Sequence, residues 1–426
     1  MSLQVWLPLT KDLRNQGLSN VTVTNNGAIF NSAGKLGGCY YFNGKSLYNS
    51  NFTFDSNIYS LCYWVKYDAI PNGSNWYHIT LNGSTSGDYK FILGGYSSNG
   101  TTGVFRCNFG GDCGNIQLNT WYHVCATYNG TQCRIYINGE LLSTFNSTIP
   151  SNSAKHLVIN GRSTNDVGTT FNGVGTQCYL NDVRIYDHCL SPMEVKELAK
   201  GLVLHYPLNQ STSILTNLND TIEYDCSGYC NNGKRIGTFT WSDDTPKYAV
   251  STKLTTGSKI TSPAGMITTD NPIFTCNFWV KMPSATYSTW ADIITFPGSA
   301  TIRMETSNTT GTNLSWYNYP IGTSSGMGTN GAVNNTDWNM FTLTCDGTNW
   351  KTYKNGVLAN TIAISGTAWT PNGTVSIGDN GMYAQLSDVR IYATALSADD
   401  VKFLYQNCAY IDSSGNIYGS VFSEVD

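Results

Sequence analysis

The chain is written in short apolar runs separated by Gly, Asn, Ser and Thr. Several runs alternate at period 2. In "LCYWVK" (61–66) Leu61, Tyr63 and Val65 share one face, and Trp64 takes the other. In "WYHVCATY" (121–128) Tyr122, Val124, Ala126 and Tyr128 share a face opposed by Trp121. Such alternation predicts strands of antiparallel sheets with one face on a core. Further on, Asn138-Gly139 sits between "RIYI" and "ELL". Asn-Gly supplies the two positive-φ residues of a type I′ turn, so a hairpin is predicted there. The clearest helix start is "SPMEVKEL". Ser191 is placed as N-cap, Pro192 fits the first helical position, and Glu194 stands where a capping box needs it. Val195 and Leu198 give that helix one apolar stripe.

The same pattern is then written again. "QVWLPL" (4–9) matches "VLHYPL" (203–208), and "LCYWVK" (61–66) matches "CNFWVK" (276–281), at offsets of 199 and 215. "WYHVCATYNGTQCRIYINGELL" (121–142) matches "WNMFTLTCDGTNWKTYKNGVLA" (338–359) at 217. "DVRIY" (182–186) recurs unchanged at 388–392, an offset of 206. Preserved order with drifting offsets describes a duplicated domain whose loops have changed length. Asn355-Gly356 repeats the hairpin turn, and Ser397 with Asp400 repeats the helix start. Trp279 and Trp338 repeat the outward aromatics, which call for loop cover or a ligand. The boundaries are 1–200 for the first domain, 201–407 for the second and 408–426 for a C-terminal β appendage. In each "DVRIY" the valine and isoleucine are expected to face the core. Asp182 with Arg184, and Asp388 with Arg390, are expected to be structural pairs on the opposite face.

Composition narrows the class. Only 12% of the 426 residues are charged, 13% are aromatic and 42 are glycine, which fits an all-β chain. A net charge of −4 leaves no electrostatic footprint for nucleic acid. No apolar run is long enough to span a membrane, and the N-terminal segment does not read as a secretory signal. The 13 cysteines are an odd number in a long chain with no export signal, which argues against a disulfide framework. Cys62, Cys125, Cys276 and Cys345 lie inside apolar runs, where a thiol behaves as a small hydrophobe. Cys107 and Cys113 flank a Gly-rich turn and are placed to pair in an oxidising medium.

Catalytic patterns are missing. The five histidines are scattered, with no Ser/His/Asp or metal-ligand spacing, and no phosphate loop or dinucleotide fingerprint is present. Two stretches combine aromatics with amides and glycines, the pattern of loops that recognise saccharides or proteins: "SNWYHIT" (74–80) and "NLSWYNYPIGTSSGMGTNG" (313–331). They make Trp76, Tyr77, Trp316, Tyr317 and Tyr319 the candidate ligand-binding residues. The competing reading of the second stretch is a strand, with Trp316 facing opposite to Tyr317 and Tyr319 and one of the two faces in the core.

Several segments together resemble a laminin G-like member of the concanavalin A-like lectin/glucanase superfamily. They are the openings "LPL" and "YPL", the "WVK" strands, the Trp121 and Trp338 strands with "YING" and "YKNG", and the closing "DVRIY … LS". The resemblance covers about residues 1–407 in two copies and implies two tandem jelly-roll β-sandwiches. The segments "MSLQVWLPLTKDLRNQG", "ELAKGLVLHYPL" and "IDSSGNIYG" also resemble tail-fibre or other virion proteins of bacteriophages and prophages. The implied function is non-catalytic recognition of glycans or a host cell surface. The implied setting is a virion surface after assembly in the bacterial cytoplasm, with other virion proteins as neighbours and a homotrimer as the common fibre state. The glucanase branch uses a Glu-x-Asp-x-x-Glu strand pattern that this chain lacks, so no enzyme is expected. A ligand-free decoration protein and a glycan hydrolase with an atypical site are the alternatives. Some laminin G-like domains hold calcium at the sandwich rim. Asp88, Asp166, Asp292 and Asp379 are the rim candidates here, with turn formation as their alternative role, and no cofactor is committed.

Overall fold

The computed structural model describes residues 3–49, 52–71, 78–82, 89–108, 111–146, 155–163, 171–174, 176–208, 221–246, 250–255, 257–267, 273–282, 291–296, 302–306, 314–318, 337–364, 373–379, 382–406, 410–411 and 417–418. The chain divides into two compact units, residues 1–200 and 201–426. Both are antiparallel β-sandwiches, as the alternating runs predict.

In unit 1, among the described residues, the large sheet has eight strands. Its order is Glu140–Asn146, Gln132–Ile137, Trp121–Tyr128, Tyr59–Tyr67, Gln177–Tyr186, Gly37–Asn43 and Ile29–Gly34, with Leu3–Leu7 pairing along Gln177–Tyr186. A seven-stranded sheet, including Ile79–Asn82, Tyr89–Tyr96 and His156–Ile159, faces it. The core lies between them: Leu61, Tyr63, Val65, Val124 and Ile185 from one sheet meet Ile79, Leu81, Phe91 and Leu93 from the other. The predicted faces hold, because a period of 2 leaves each strand one way to bury its apolar set.

Unit 2 repeats the plan. Its large sheet runs Phe239–Ser242, Ser251–Leu254, Ala384–Tyr392, Phe274–Lys281, Asn339–Cys345, Asn349–Lys354 and Val357–Ala363, with Leu202–Tyr206 along Ala384–Tyr392. Among the described residues a second sheet of seven strands ends in Asp292–Phe296, Ile302–Thr306 and Leu314–Asn318. Tyr410–Ile411 and Ile417–Tyr418 form a small separate ladder.

Local signals explain the details. Asn138 and Gly139 both have positive φ (53° and 87°), as do Asn355 and Gly356 (50° and 79°), the geometry a type I′ turn requires. The helix Pro192–Ala199 (α1) carries the predicted capping box: Ser191 Oγ accepts from Glu194 N, and Glu194 accepts from Ser191 N at 2.7 Å. Ala398–Gln406 (α2) is capped alike, with Ser397 N donating to Asp400 at 3.2 Å and Asp400 N to Ser397 Oγ at 3.1 Å. Each helix covers part of its large sheet's outer face. Val195 packs over Cys62, Cys125, Tyr136 and Tyr186; Val401 and Leu404 pack with Trp279, Met340 and Tyr392.

The closing "DVRIY" strand departs from simple alternation. Asp182 and Asp388 sit in the left-handed region (φ 56° and 54°), at a register shift against the neighbouring strand. A short polar side chain tolerates that conformation at modest cost. Val183 and Ile185 still point into the core.

Candidate functional site

The repeated motif builds a clamp. Asp182 is buried and takes Arg184 Nε at 2.9 Å and Trp6 Nε1 at 2.7 Å on one oxygen. The Arg184 guanidinium lies 4.5 Å from the Trp6 ring centre. Asp182 N and Asn181 Nδ2 donate to Pro8 O (3.0 and 2.7 Å), which ties the closing strand to the "LPL" opening. Unit 2 builds the same clamp with His205 in place of Trp6: Arg390 Nε and His205 Nε2 reach Asp388 Oδ1 at 2.8 and 2.9 Å. Asp388 N donates to Pro207 O at 3.1 Å. Asp182 and Asp388 are buried while their partners stay part-exposed, and this charge-assisted constellation joins strands.

The sequence candidates for ligand contact fare differently. Trp76, Tyr77 and Tyr319 lie outside the described residues, as do Asp88 and Asp166. Trp316 stands opposite Met304 in the strand Leu314–Asn318 and is 0% exposed. Its ring meets Phe278 edge-on at 6.0 Å. The expectation that Trp316 presents its face to a sugar is therefore corrected: strand alternation turns it into the core. Tyr317 is placed opposite Arg303. Asp292 and Asp379 are register partners on adjacent strands. Among the described residues no group of three or more His, Cys, Asp or Glu is arranged to hold a metal. Nor is any described helix long and apolar enough to cross a membrane.

Two histidines of unit 1, His78 and His123, are interior. His78 is wholly buried between Tyr63 Oη (3.1 Å) and Thr176 Oγ1 (2.9 Å), and burial pushes it down to about 3. His123 lies against Trp64 at 5.3 Å and is pushed down to about 4, again chiefly by burial. Neither reaches solvent as a base. The cysteine expectation is met for Cys62, Cys125, Cys276 and Cys345, all buried thiols. Cys113 stands opposite Phe105 and gives its S–H to Phe105 O, so Cys107 and Cys113 are not in register to pair.

What the sequence reading passed over is a row of side chains across four strands on the outer face of unit 1's large sheet. Trp121 stands opposite Lys66, Lys66 opposite Tyr179, and Tyr179 opposite Tyr41. At a strand spacing of about 4.8 Å the row is about 14 Å long. None of the four is fully buried. The Tyr41 and Tyr179 rings lie 4.7 Å apart at 37°, and Trp121 is 6.5 Å from Tyr179. Lys66 Nζ sits 4.4 Å from the Tyr179 centroid and 5.6 Å from that of Trp121, held by the negative ring faces. Tyr41 donates its hydroxyl to Asp68 Oδ2 at 3.1 Å, which places an exposed carboxylate beside the row. Burial pushes both phenols upward, so both remain neutral donors. Aromatic surface, an ammonium donor and a carboxylate acceptor converge on one part-exposed strip. The outward Trp121 was the signal; the other three residues become its neighbours only through register.

Unit 2 writes the row as Trp338, Lys281, Gln385 and Lys253. Here Asp244 covers it, accepting from Trp338 Nε1 at 2.9 Å and from Lys281 Nζ at 2.5 Å. Trp338 is left 2% exposed.

Tandem antiparallel β-sandwiches, each closed by a capped helix, with an aromatic strip on one outer face, define a lectin-like class of fold. The family model described as the Concanavalin A-like lectin/glucanases superfamily matches residues 41–196 and 254–402, more than half of the chain, and the chain belongs to that superfamily. Among solved structures it is similar to domain 4 of AbnA, a GH43 extracellular arabinanase from Geobacillus stearothermophilus, in complex with arabinotriose. The identity is 20%, over 48% of this chain and 98% of that one, with a TM-score of 0.40. A heptameric SAP-like pentraxin from Limulus polyphemus is 21% identical over 36% of this chain and 75% of its own, with a TM-score of 0.30. The binding domain of Paraclostridial Mosquitocidal Protein 1 is 12% identical over 100% of this chain and 98% of its own, with a TM-score of 0.35. No curated protein matches the chain.

Proposed function

We propose that the chain is a non-catalytic saccharide-recognition protein and that the Trp121–Lys66–Tyr179–Tyr41 row of unit 1 is its contact surface. The row itself carries the proposal. Flat aromatic faces accept the C–H side of sugar rings, while Lys66 and Asp68 are positioned to donate to and accept from ring hydroxyls. A part-exposed strip of about 14 Å suits two or three sugar units rather than one. Glycoside hydrolysis calls for two carboxyl groups flanking one bond, roughly 5–9.5 Å apart. The row carries one carboxylate, Asp68, and that supports binding without cleavage.

The setting is part of the same proposal. The chain's resemblance to tail-fibre proteins supports a place on a bacteriophage virion, assembled in the bacterial cytoplasm and attaching to glycans of a host surface. A homotrimer would present three strips at once, and weak single contacts then add through multivalency. The closed row of unit 2 favours a division of labour, in which unit 2 serves as a structural module.

A glycan array and a whole-cell binding assay, each with and without EDTA, test the reading. Trp121→Ala and Tyr179→Gln are each expected to weaken saccharide binding about tenfold, the loss of roughly 1.4 kcal/mol of stacking, with the melting temperature lowered by no more than about 4 °C. Wild-type binding that both variants retain in full would remove the row from the proposal. Absence of any binding to glycans or cells would leave the decoration role.

A further inference from the structure

Two sulfur atoms lie at the centre of unit 1's large sheet, on the face that α1 covers. Cys62 and Cys125 stand directly opposite one another on the antiparallel strands Tyr59–Tyr67 and Trp121–Tyr128. Their Sγ atoms are 2.6 Å apart, about 0.5 Å beyond a covalent S–S bond. Both are buried beneath Tyr136, Tyr186, Leu190 and Val195. Unit 2 fills the two matching positions with Asn277 and Thr342, again in direct register. Asn277 Nδ2 donates to Thr342 Oγ1 at 2.7 Å. Both copies therefore tie their central strands at the same point, one through an amide and a hydroxyl, the other through sulfur.

We infer that Cys62 and Cys125 are a modification site: a dithiol that closes to a cross-strand disulfide when a low-molecular-weight disulfide is available. One cysteine thiolate attacks the small disulfide and releases one small thiol. The second cysteine then displaces the other, forming the protein S–S bond. In balance, two protein thiols lose two protons and two electrons, and the small disulfide becomes two thiols. Burial and the adjacent Cys62 hold the Cys125 thiol well above the usual thiol range, so the closed, folded pair exchanges slowly. The bond forms as the two strands pair, before α1 docks over them, or when α1 opens. Cys189, half-buried and close enough to act electrostatically on Cys125, is the competing thiol.

The test refolds the full chain with mixed reduced and oxidised glutathione, traps remaining thiols by alkylation and maps the peptides by mass spectrometry. A Cys62–Cys125 cross-linked peptide pair is expected, lost on reduction. Because the bond would close a long loop, the melting temperature should rise by about 5 °C over the reduced protein. The Cys62→Asn/Cys125→Thr double variant carries unit 2's own pair into unit 1, so folding needs no sulfur there. It should lose both the cross-linked peptide and the redox-dependent shift. Alkylation of both cysteines after oxidative refolding, linkage through Cys189 instead, or a shift that survives in the double variant would each overturn the inference.

Discussion

The outer faces of the two large sheets start from the same lattice positions and end in opposite states. In unit 1 the row Trp121, Lys66, Tyr179, Tyr41 lies open, with the ammonium resting on aromatic rings. In unit 2 two tyrosine positions are taken by Gln385 and Lys253, and Asp244 closes over Trp338 and Lys281. The middle of the face is buried in both copies, with different covers: Trp64 is 2% exposed and Trp279 0%. Trp64 of unit 1 has Lys35 5.2 Å above its ring, whereas Trp279 of unit 2 stacks on Tyr405 of α2 at 5.6 Å and 15°. α1 has Ala199 where α2 has Tyr405, and that single side chain extends the hydrophobic cover. Unit 2 thus packs its row tryptophan away, and unit 1 leaves Trp121 and the two tyrosines part-exposed.

The largest break in the comparison is expected from one substitution made twice. Trp338→Ala should destabilise unit 2 by about 3–5 kcal/mol, as for a fully buried Trp, while Trp121→Ala should cost unit 1 about 1 kcal/mol or less. Denaturant unfolding of the full chain reads both, and equal costs would mean that the two faces are alike after all. A smaller effect should be shared. Arg184→Ala and Arg390→Ala each remove one arm of a clamp and leave a buried aspartate with one partner fewer, at about 2–3 kcal/mol apiece. Saccharide binding by the folded Arg184→Ala protein should not change; selective loss of binding at unchanged stability would make the motif a site.

The smallest effect separates the units by pH. His123 is held neutral in the fold, at about 4 against 6.5 for the free side chain. The unfolded chain therefore takes up a proton first as pH falls, so this stability is complete above about 6.5 and is lost between 6.5 and 4. His78 adds to the loss over the same window and below it. Unit 2 carries Met340 where unit 1 has His123. His123→Met should recover about 2 kcal/mol at pH 4 relative to wild type, seen as a flatter melting temperature against pH. An unaltered acid slope would show that His123 does not set it.

Much of this was legible in the sequence because it is local. The hairpins follow from Asn-Gly, the helices from Ser-Pro-x-Glu and Ser-x-x-Asp, and the buried faces from period 2. Two things were not legible, for different physical reasons. The clamp aspartates were assigned to a face by alternation, but a left-handed residue at a register shift interrupts the period there. The platform required register among positions 41, 66, 121 and 179, which no local pattern encodes. Trp121 and Trp338 read alike, and the Asp244 carboxylate that closes over Trp338 comes from a distant part of the sequence. Trp316 shows the converse: its neighbours looked like a binding loop, and strand pairing put the ring inside.

One feature of the hairpins bears on how such a chain can be lengthened. A side-chain carbon at Gly139 would lie 3.1 Å from Ala199 Cβ and 3.2 Å from Lys196 Cα of α1; at Gly356 it would lie 3.1 Å from Tyr405 Cβ and 3.2 Å from Lys402 Cα of α2. Hairpin tips are ordinarily where insertions and grafted peptides are best tolerated. These two tips are roofed by a helix and have no room to grow, so a graft there would lift the helix off the sheet. The chain has kept both turns at the same two residues while the spacing between its other landmarks drifted. An engineer adding a new epitope, or lineage change adding a new specificity, has to use the other loops.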